Sequence, residues 1–138
     1  MVNYIAMLGA AIASMIIGFL WYGPLFGKIW MDLSGFKKED MGKMKTSAQT
    51  GYVVQFIASI VMAFVLAILI PETRGIILES SRFWNALGIA FIGWLGFIAT
   101  TTLGSVLWEG KPVKLYLLNN AYHLVSLLVM AAILVSFP

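Results

Sequence analysis

The chain has 138 residues, 61% hydrophobic and only 11% charged, where soluble domains run at roughly 45–50% and about 25%. A soluble fold would have to bury nearly all of a chain too small to do so. The net charge of +3 sits on loops without a basic stripe or aromatic stacking platform, which argues against nucleic acid as a partner. With no cysteine, disulfides, thiolate catalysis and Cys-based zinc or Fe–S sites are excluded.

Four apolar runs are each long enough to cross a bilayer, which takes about 20 residues. They fall at Asn3–Tyr22, Tyr52–Ile70, Trp84–Leu107 and Val113–Phe137. None holds an Asp, Glu or Arg, and Lys114 lies at an end. The first run lacks a basic leader and a small-x-small cleavage site, so it is expected to stay as a span. It closes on Trp21-Tyr22-Gly23-Pro24, read as a corner in which Gly supplies the turn and Pro stops the helix. In the first loop, Phe26, Ile29, Trp30 and Leu33 follow helical spacing, with Lys28 and Asp32 off that face. A short amphipathic helix ended by Ser34-Gly35 is predicted, lying in the membrane interface with Trp30 at headgroup depth. Phe36–Lys45 is polar and reads as a second short helix or a loop. In the second loop, Pro71–Phe83, Glu72 with Arg74 and Glu79 with Arg82 roughly cancel. The third run closes on Trp108-Glu109-Gly110-Lys111-Pro112, a corner matching the first.

Orientation follows from Lys and Arg in short loops. The first loop carries Lys28, Lys37, Lys38, Lys43 and Lys45, the third Lys111 and Lys114, the second only Arg74 and Arg82. Loops one and three are therefore expected in the cytoplasm, with both termini outside. The region 25–48 becomes a cytoplasmic amphipathic insertion.

The halves read as a duplication. With Ile12-Ala13-Ser14 laid on Ile98-Ala99-Thr100, Gly18 meets Gly104, and Ala10, Ser14, Gly18 and Gly96, Thr100, Gly104 form the same stripe of small residues. Such stripes let helices approach closely. Gln49-Thr50-Gly51-Tyr52 matches Asn119-Asn120-Ala121-Tyr122 at a different offset, which places an insertion in the first loop. The resulting fold class is an all-α integral membrane four-helix bundle of two parallel two-helix repeats, with the axis along the membrane normal. Helix-packing needs alone also produce such stripes.

Polar residues gather in the cytoplasmic half: Ser14; Gln49, Thr50, Tyr52, Gln55 and Ser59; Thr100, Thr101, Thr102 and Ser105; Tyr116, Asn119, Asn120, His123 and Ser126. The outer half is almost wholly apolar, with Asn3 and Asn85 placed near the surface. At about 100° per residue the polar side chains of the fourth span share one face, which is expected to point inward because polar groups facing lipid are costly. Two readings stay open. The cluster is a polar pocket open to the cytoplasm, or it is interhelical glue.

The candidate pocket comprises Thr101, Ser105, Asn119, Asn120, Tyr122 and His123, with Glu109 and Lys111 at the mouth. Glu109 would pair with Lys111 or Lys114, or draw in a cation. His123, the only histidine, would carry protons or simply pack. Trp21, Tyr22, Gly23, Pro24, Trp30, Trp108 and Pro112 form the corners and interfacial anchors. No carboxylate, second His or Cys sits at metal spacing. Gly23–Lys28 falls one residue short of a P-loop. No nucleophile–base pattern exists, so neither catalysis nor a cofactor is expected.

The stretch Trp21-Tyr22-Gly23-Pro24-Leu25-Phe26-Gly27-Lys28, then Trp30-Met31, resembles the N-terminal signature of the DUF1761 family of small bacterial and archaeal membrane proteins. Ala99-Thr100-Thr101, Glu109, Lys111-Pro112, Leu115, Asn119 and Tyr122-His123 are similar to its second motif, with Lys111 in place of Arg and Ala121 in place of Gly. The resemblance implies a four-span membrane protein and no particular activity. The functional expectation is a transporter or channel-like protein that binds a small polar solute or ion from the cytoplasmic side. The alternative is a structural or interaction protein whose polar cluster only holds helices together. A homo-oligomer in the lipid bilayer is expected, because four helices with small-residue stripes leave little interior room.

Overall fold

The computed structural model describes residues 2–35, 48–72 and 81–137. The second element expected across Phe36–Lys45 and most of the second loop lie outside the described residues. Helix α1 spans Tyr4–Leu20, α2 Gly27–Ser34, α3 Ala48–Glu72, α4 Arg82–Gly93, α5 Gly104–Leu107 and α6 Val113–Ser136. Wider π-helical turns follow α1 at Trp21–Leu25 and α4 at Trp94–Ala99. Among the described residues, four helical stretches are long and apolar enough to cross a membrane: Tyr4–Leu25, Gln49–Pro71, Arg82–Leu107 and Val113–Ser136. Length and composition thus define a membrane protein, with span limits within a few residues of the apolar runs.

Helix α6 is central. It packs against α1, α3 and α4, while α1 also packs against α3. The close-packed core joins Ala6, Met7 and Ala10 of α1 to Ala63, Leu66 and Ile70 of α3, Ala86, Ile89 and Ala90 of α4, and Leu127 to Val135 of α6. These are the N-terminal parts of α1 and of the third span, Arg82–Leu107, and the C-terminal parts of α3 and α6. Successive spans therefore run antiparallel, and the core seals one end of the bundle. Alanine dominates the crossings because its small side chain lets helices approach closely without a polar cost. At this closed end, the Asn3 side chain caps α1 by accepting from the Ile5 and Ala6 backbone N–H groups at 3.1 Å. Its amide also donates to the Phe137 carbonyl at 2.9 Å. Asn85 departs from expectation. It is buried among the helices, and its Oδ1 has no hydrogen-bond partner among the described residues.

The first corner is not a glycine turn. Gly23 keeps a negative φ, and the chain stays helical through Pro24. Pro24 has no N–H to give the preceding turn, so the winding loosens and the Phe26 N–H reaches back to the Trp21 carbonyl at 2.9 Å. Gly27 is required here, because a Cβ would lie 2.7 Å from the Tyr22 carbonyl oxygen. Helix α2 then forms as its spacing predicts, and Gly35 ends it at φ 74°. The second corner is a true glycine turn: Gly110 has φ 68°, and the Lys111 N–H returns to the Ser105 carbonyl at 3.0 Å. The two corners therefore match in sequence and differ in conformation.

Their small-residue stripes differ as well. Ala10 and Ser14 are fully buried, whereas Gly96 and Thr100 are exposed and a Cβ on Gly96 would meet open space. The third span is irregularly wound there, with a π turn at Trp94–Ala99 and a break in the helix at Thr102 and Leu103. Thr100, Thr101 and Thr102 return their hydroxyls to the carbonyls of Gly96, Phe97 and Ile98, one turn back. Such back-bonding weakens and bends a helix, and Gly93 and Gly96 lower its resistance.

Candidate functional site

Opposite the closed end, the helices part around a cavity of about 740 Å³. The π turn after α1, α2, the end of the third span and the first turns of α6 form its walls. Thr101, Ser105, Glu109, Lys111, Asn119, Asn120 and His123 all line it. So do Tyr22, Trp30 and Trp108, read from sequence as anchors, and Thr102 and Tyr116, which were not singled out for the pocket. Tyr122 does not line it. Its ring is buried against α1, with its hydroxyl 3.4 Å from the Ser14 carbonyl, over the flat surface that Gly18 leaves.

The polar cluster divides into two chemically different sets. One set is interlocked. Ser14 and Ser126 share a buried hydrogen bond of 2.7 Å. Thr102 donates to Asn120 Oδ1 at 3.0 Å, while Asn120 Nδ2 donates to the Tyr116 carbonyl at 2.9 Å. The Tyr116 hydroxyl donates to the Ala99 carbonyl at 2.5 Å, and the Trp94 indole N–H to the Asn120 carbonyl at 2.9 Å. The irregular winding of the third span thus leaves the Ala99 carbonyl for α6 to satisfy from the side. Tyr22 donates to Asn119 Oδ1 at 2.8 Å, tying the first π turn to α6. The Thr101 hydroxyl is taken up by its own helix.

The second set is free. The side chains of Glu109, Lys111 and His123 have no hydrogen-bond or ion-pair partner among the described residues. The ion pair expected between Glu109 and Lys111 or Lys114 does not form. Glu109, Lys111 and Trp108 are exposed at the mouth, and His123 is half-buried in the wall. Trp30 packs edge-on against Tyr22 at 6.1 Å, so α2 contributes a wall to the cavity. Trp21 packs inward against Phe26 and Tyr122 at 4.7 and 6.4 Å, not outward as an anchor, and its indole N–H is buried without a partner. Among the described residues no three metal-ligating side chains gather.

The second span does not join this cavity. Gln49 to Gln55 are exposed, and only Ser59 is buried, its hydroxyl donating to the Gln55 carbonyl at 2.9 Å. Tyr52 and Gln55 instead border a second, largely apolar groove of about 640 Å³ between α1 and α3. Tyr22 and His123 line both hollows.

Four antiparallel apolar helices, closed at one end and hollow with unpaired polar groups at the other, define a small polytopic membrane protein. The chain belongs to the family described as protein of unknown function (DUF1761), whose model matches residues 5–135. No curated protein and no solved structure matches it.

Proposed function

We propose that this protein binds a small polar solute or ion at the hollow end of the bundle and acts as a small transporter or channel-like protein. The observation that carries this reading is the free set: an acid, a base and an imidazole line one cavity without partners. Intramembrane and juxtamembrane groups of this kind are expensive to leave unsatisfied unless water or a ligand meets them. The lysine distribution supports a hollow end facing the cytoplasm and both termini outside, in a prokaryotic cytoplasmic membrane. The exposed third-span face and the open cavity wall fit assembly with further copies in the bilayer. Interfacial seating of α2 and descent from a duplicated two-helix unit remain part of this reading, and no catalytic role is assigned.

The test is thermal stabilisation of the purified protein by a panel of monovalent cations, phosphate, amino acids and phosphoethanolamine. A ligand at a hundred times its Kd should add about 2.7 kcal/mol of stability. Glu109→Ala and Asn119→Ala should weaken binding about tenfold, the loss of roughly one hydrogen bond to a charged group. If no solute stabilises the protein and both variants behave as wild type, the binding reading fails. The interlocked set supports the rival, a structural protein, for which Asn120→Ala lowers stability and nothing else changes. Orientation is tested with single cysteines in this cysteine-free chain. Ser80→Cys should react with an impermeant maleimide added outside and Lys43→Cys should not.

A further inference from the structure

The shared wall of the two hollows bears on what kind of ligand fits. The first hollow offers one carboxylate, Glu109, and one ammonium, Lys111, both unpaired at its mouth. A simple ion satisfies one of these groups, whereas a zwitterionic group satisfies both. The second hollow is walled by Met15, Ile16, Phe19 and Leu20, within a stretch apolar enough to span a bilayer. Its open side gives onto hydrocarbon, which water does not fill at that depth. Tyr22 and His123 belong to both linings, so these side chains stand between a polar hollow and an apolar one. The bond from Tyr22 to Asn119 at 2.8 Å holds that divider in place.

From this continuity we propose that the ligand is a membrane lipid with a zwitterionic headgroup. Its ammonium and phosphate lie toward Glu109 and Lys111, and a hydrocarbon chain lies in the groove between α1 and α3. This deepens the binding reading above and rests on it. Ordinary boundary lipid covers any apolar face; what sets this groove apart is that it leads, past Tyr22 and His123, to complementary charges. The lipid enters sideways from the bilayer, so the exposed first half of α3 is an entrance and not a packing defect. It also accounts for the polar side chains Tyr52 and Gln55 beside the groove.

The experiment uses the full chain in nanodiscs of equal phosphatidylethanolamine and phosphatidylglycerol, released for native mass spectrometry. Titration with phosphoethanolamine, the headgroup alone, runs beside it. One phosphatidylethanolamine retained per protein, in preference to phosphatidylglycerol, is expected. Leu20→Trp and Ile16→Trp fill the groove from residues 43% and 54% exposed, positions that tolerate bulk. Each should cut lipid retention about tenfold while leaving phosphoethanolamine binding unchanged. Equal retention of both lipids, or retention unaffected by either tryptophan, overturns the proposal. Phosphoethanolamine binding without lipid retention overturns it too, yet leaves the polar-solute reading standing. Loss of both signals removes the two together.

Discussion

Gly18 lies under Tyr122, and its replacement by alanine should change sign with the partner. A Cβ at Gly18 would sit 2.9 Å from the Tyr122 hydroxyl oxygen, with ring atoms next at 3.4 and 3.5 Å. The tyrosine is buried and confined by Tyr22 at 5.2 Å and Trp21 at 6.4 Å, so its ring has little room to retreat. Overpacking of this kind costs about 1–3 kcal/mol. Against it stands the gain in helix propensity from Gly to Ala, about 1 kcal/mol. The net for Gly18→Ala is a loss of up to about 2 kcal/mol. Tyr122→Phe removes the clashing oxygen together with a long 3.4 Å hydrogen bond to Ser14, a loss of at most about 1 kcal/mol. In that background Gly18→Ala meets only the ring atoms at 3.4 and 3.5 Å, and the propensity gain of up to about 1 kcal/mol should prevail. The coupling between the two positions is then about 1–3 kcal/mol. A double-mutant cycle measured by SDS or thermal denaturation in detergent micelles decides it. Additive effects, or stabilisation by Gly18→Ala in the wild type, would refute the close approach of α1 and α6 at this level.

Gly27→Ala places its Cβ 2.7 Å from a backbone oxygen that cannot swing aside, so it should destabilise by about 1–3 kcal/mol, whereas Gly96→Ala, facing open space, should be neutral or stabilise by up to about 1 kcal/mol; paired thermal melts test the contrast. Gly110→Ala forces a side chain into the left-handed region at φ 68° and should lower stability by about 1–2 kcal/mol in the same melts. Asn120→Ala leaves the Thr102 hydroxyl with only its own helix and should cost about 1–2 kcal/mol. Ligand-induced stabilisation of Asn120→Ala should match wild type within error if Asn120 belongs to the interlocked set.

Much of this architecture could be read from residue order because a bilayer leaves few choices. Four long apolar runs must become four helices, and the helical period of Tyr116, Asn119, Asn120, His123 and Ser126 placed them inward. Every pocket residue proposed from the sequence lines the cavity except Tyr122, which shares that period but leans toward the space Gly18 leaves. Two kinds of feature were not legible. The π turns depend on where a missing or diverted hydrogen bond sends the winding, so Trp21-Tyr22-Gly23-Pro24 read as a turn like the one at Gly110. Span two was counted in the polar cluster because it carries Gln49, Thr50, Tyr52, Gln55 and Ser59. Its tight packing, however, is confined to the alanine-rich closed end, around Ala63, and the bulkier Val53, Val54 and Ile57 remain exposed. Trp94 had one usable signal, an indole far from either end of its run, where only an internal acceptor can meet its N–H.

The central place of α6 has a consequence for assembly. It is the last of the four spans in chain order, yet α4 packs chiefly against it. During synthesis α1 and α3 can pair as soon as both are inserted. The third span cannot be completed in the same way. Its Ala99 carbonyl and its Trp94 indole N–H are met by the Tyr116 hydroxyl and by the Asn120 carbonyl, groups that are not yet in the membrane. Until α6 arrives, that span is a loosely wound helix with unpaired polar groups in hydrocarbon, and the hollow end has no second wall. Insertion of the final helix therefore completes the third span's hydrogen bonding and creates the cavity in one step.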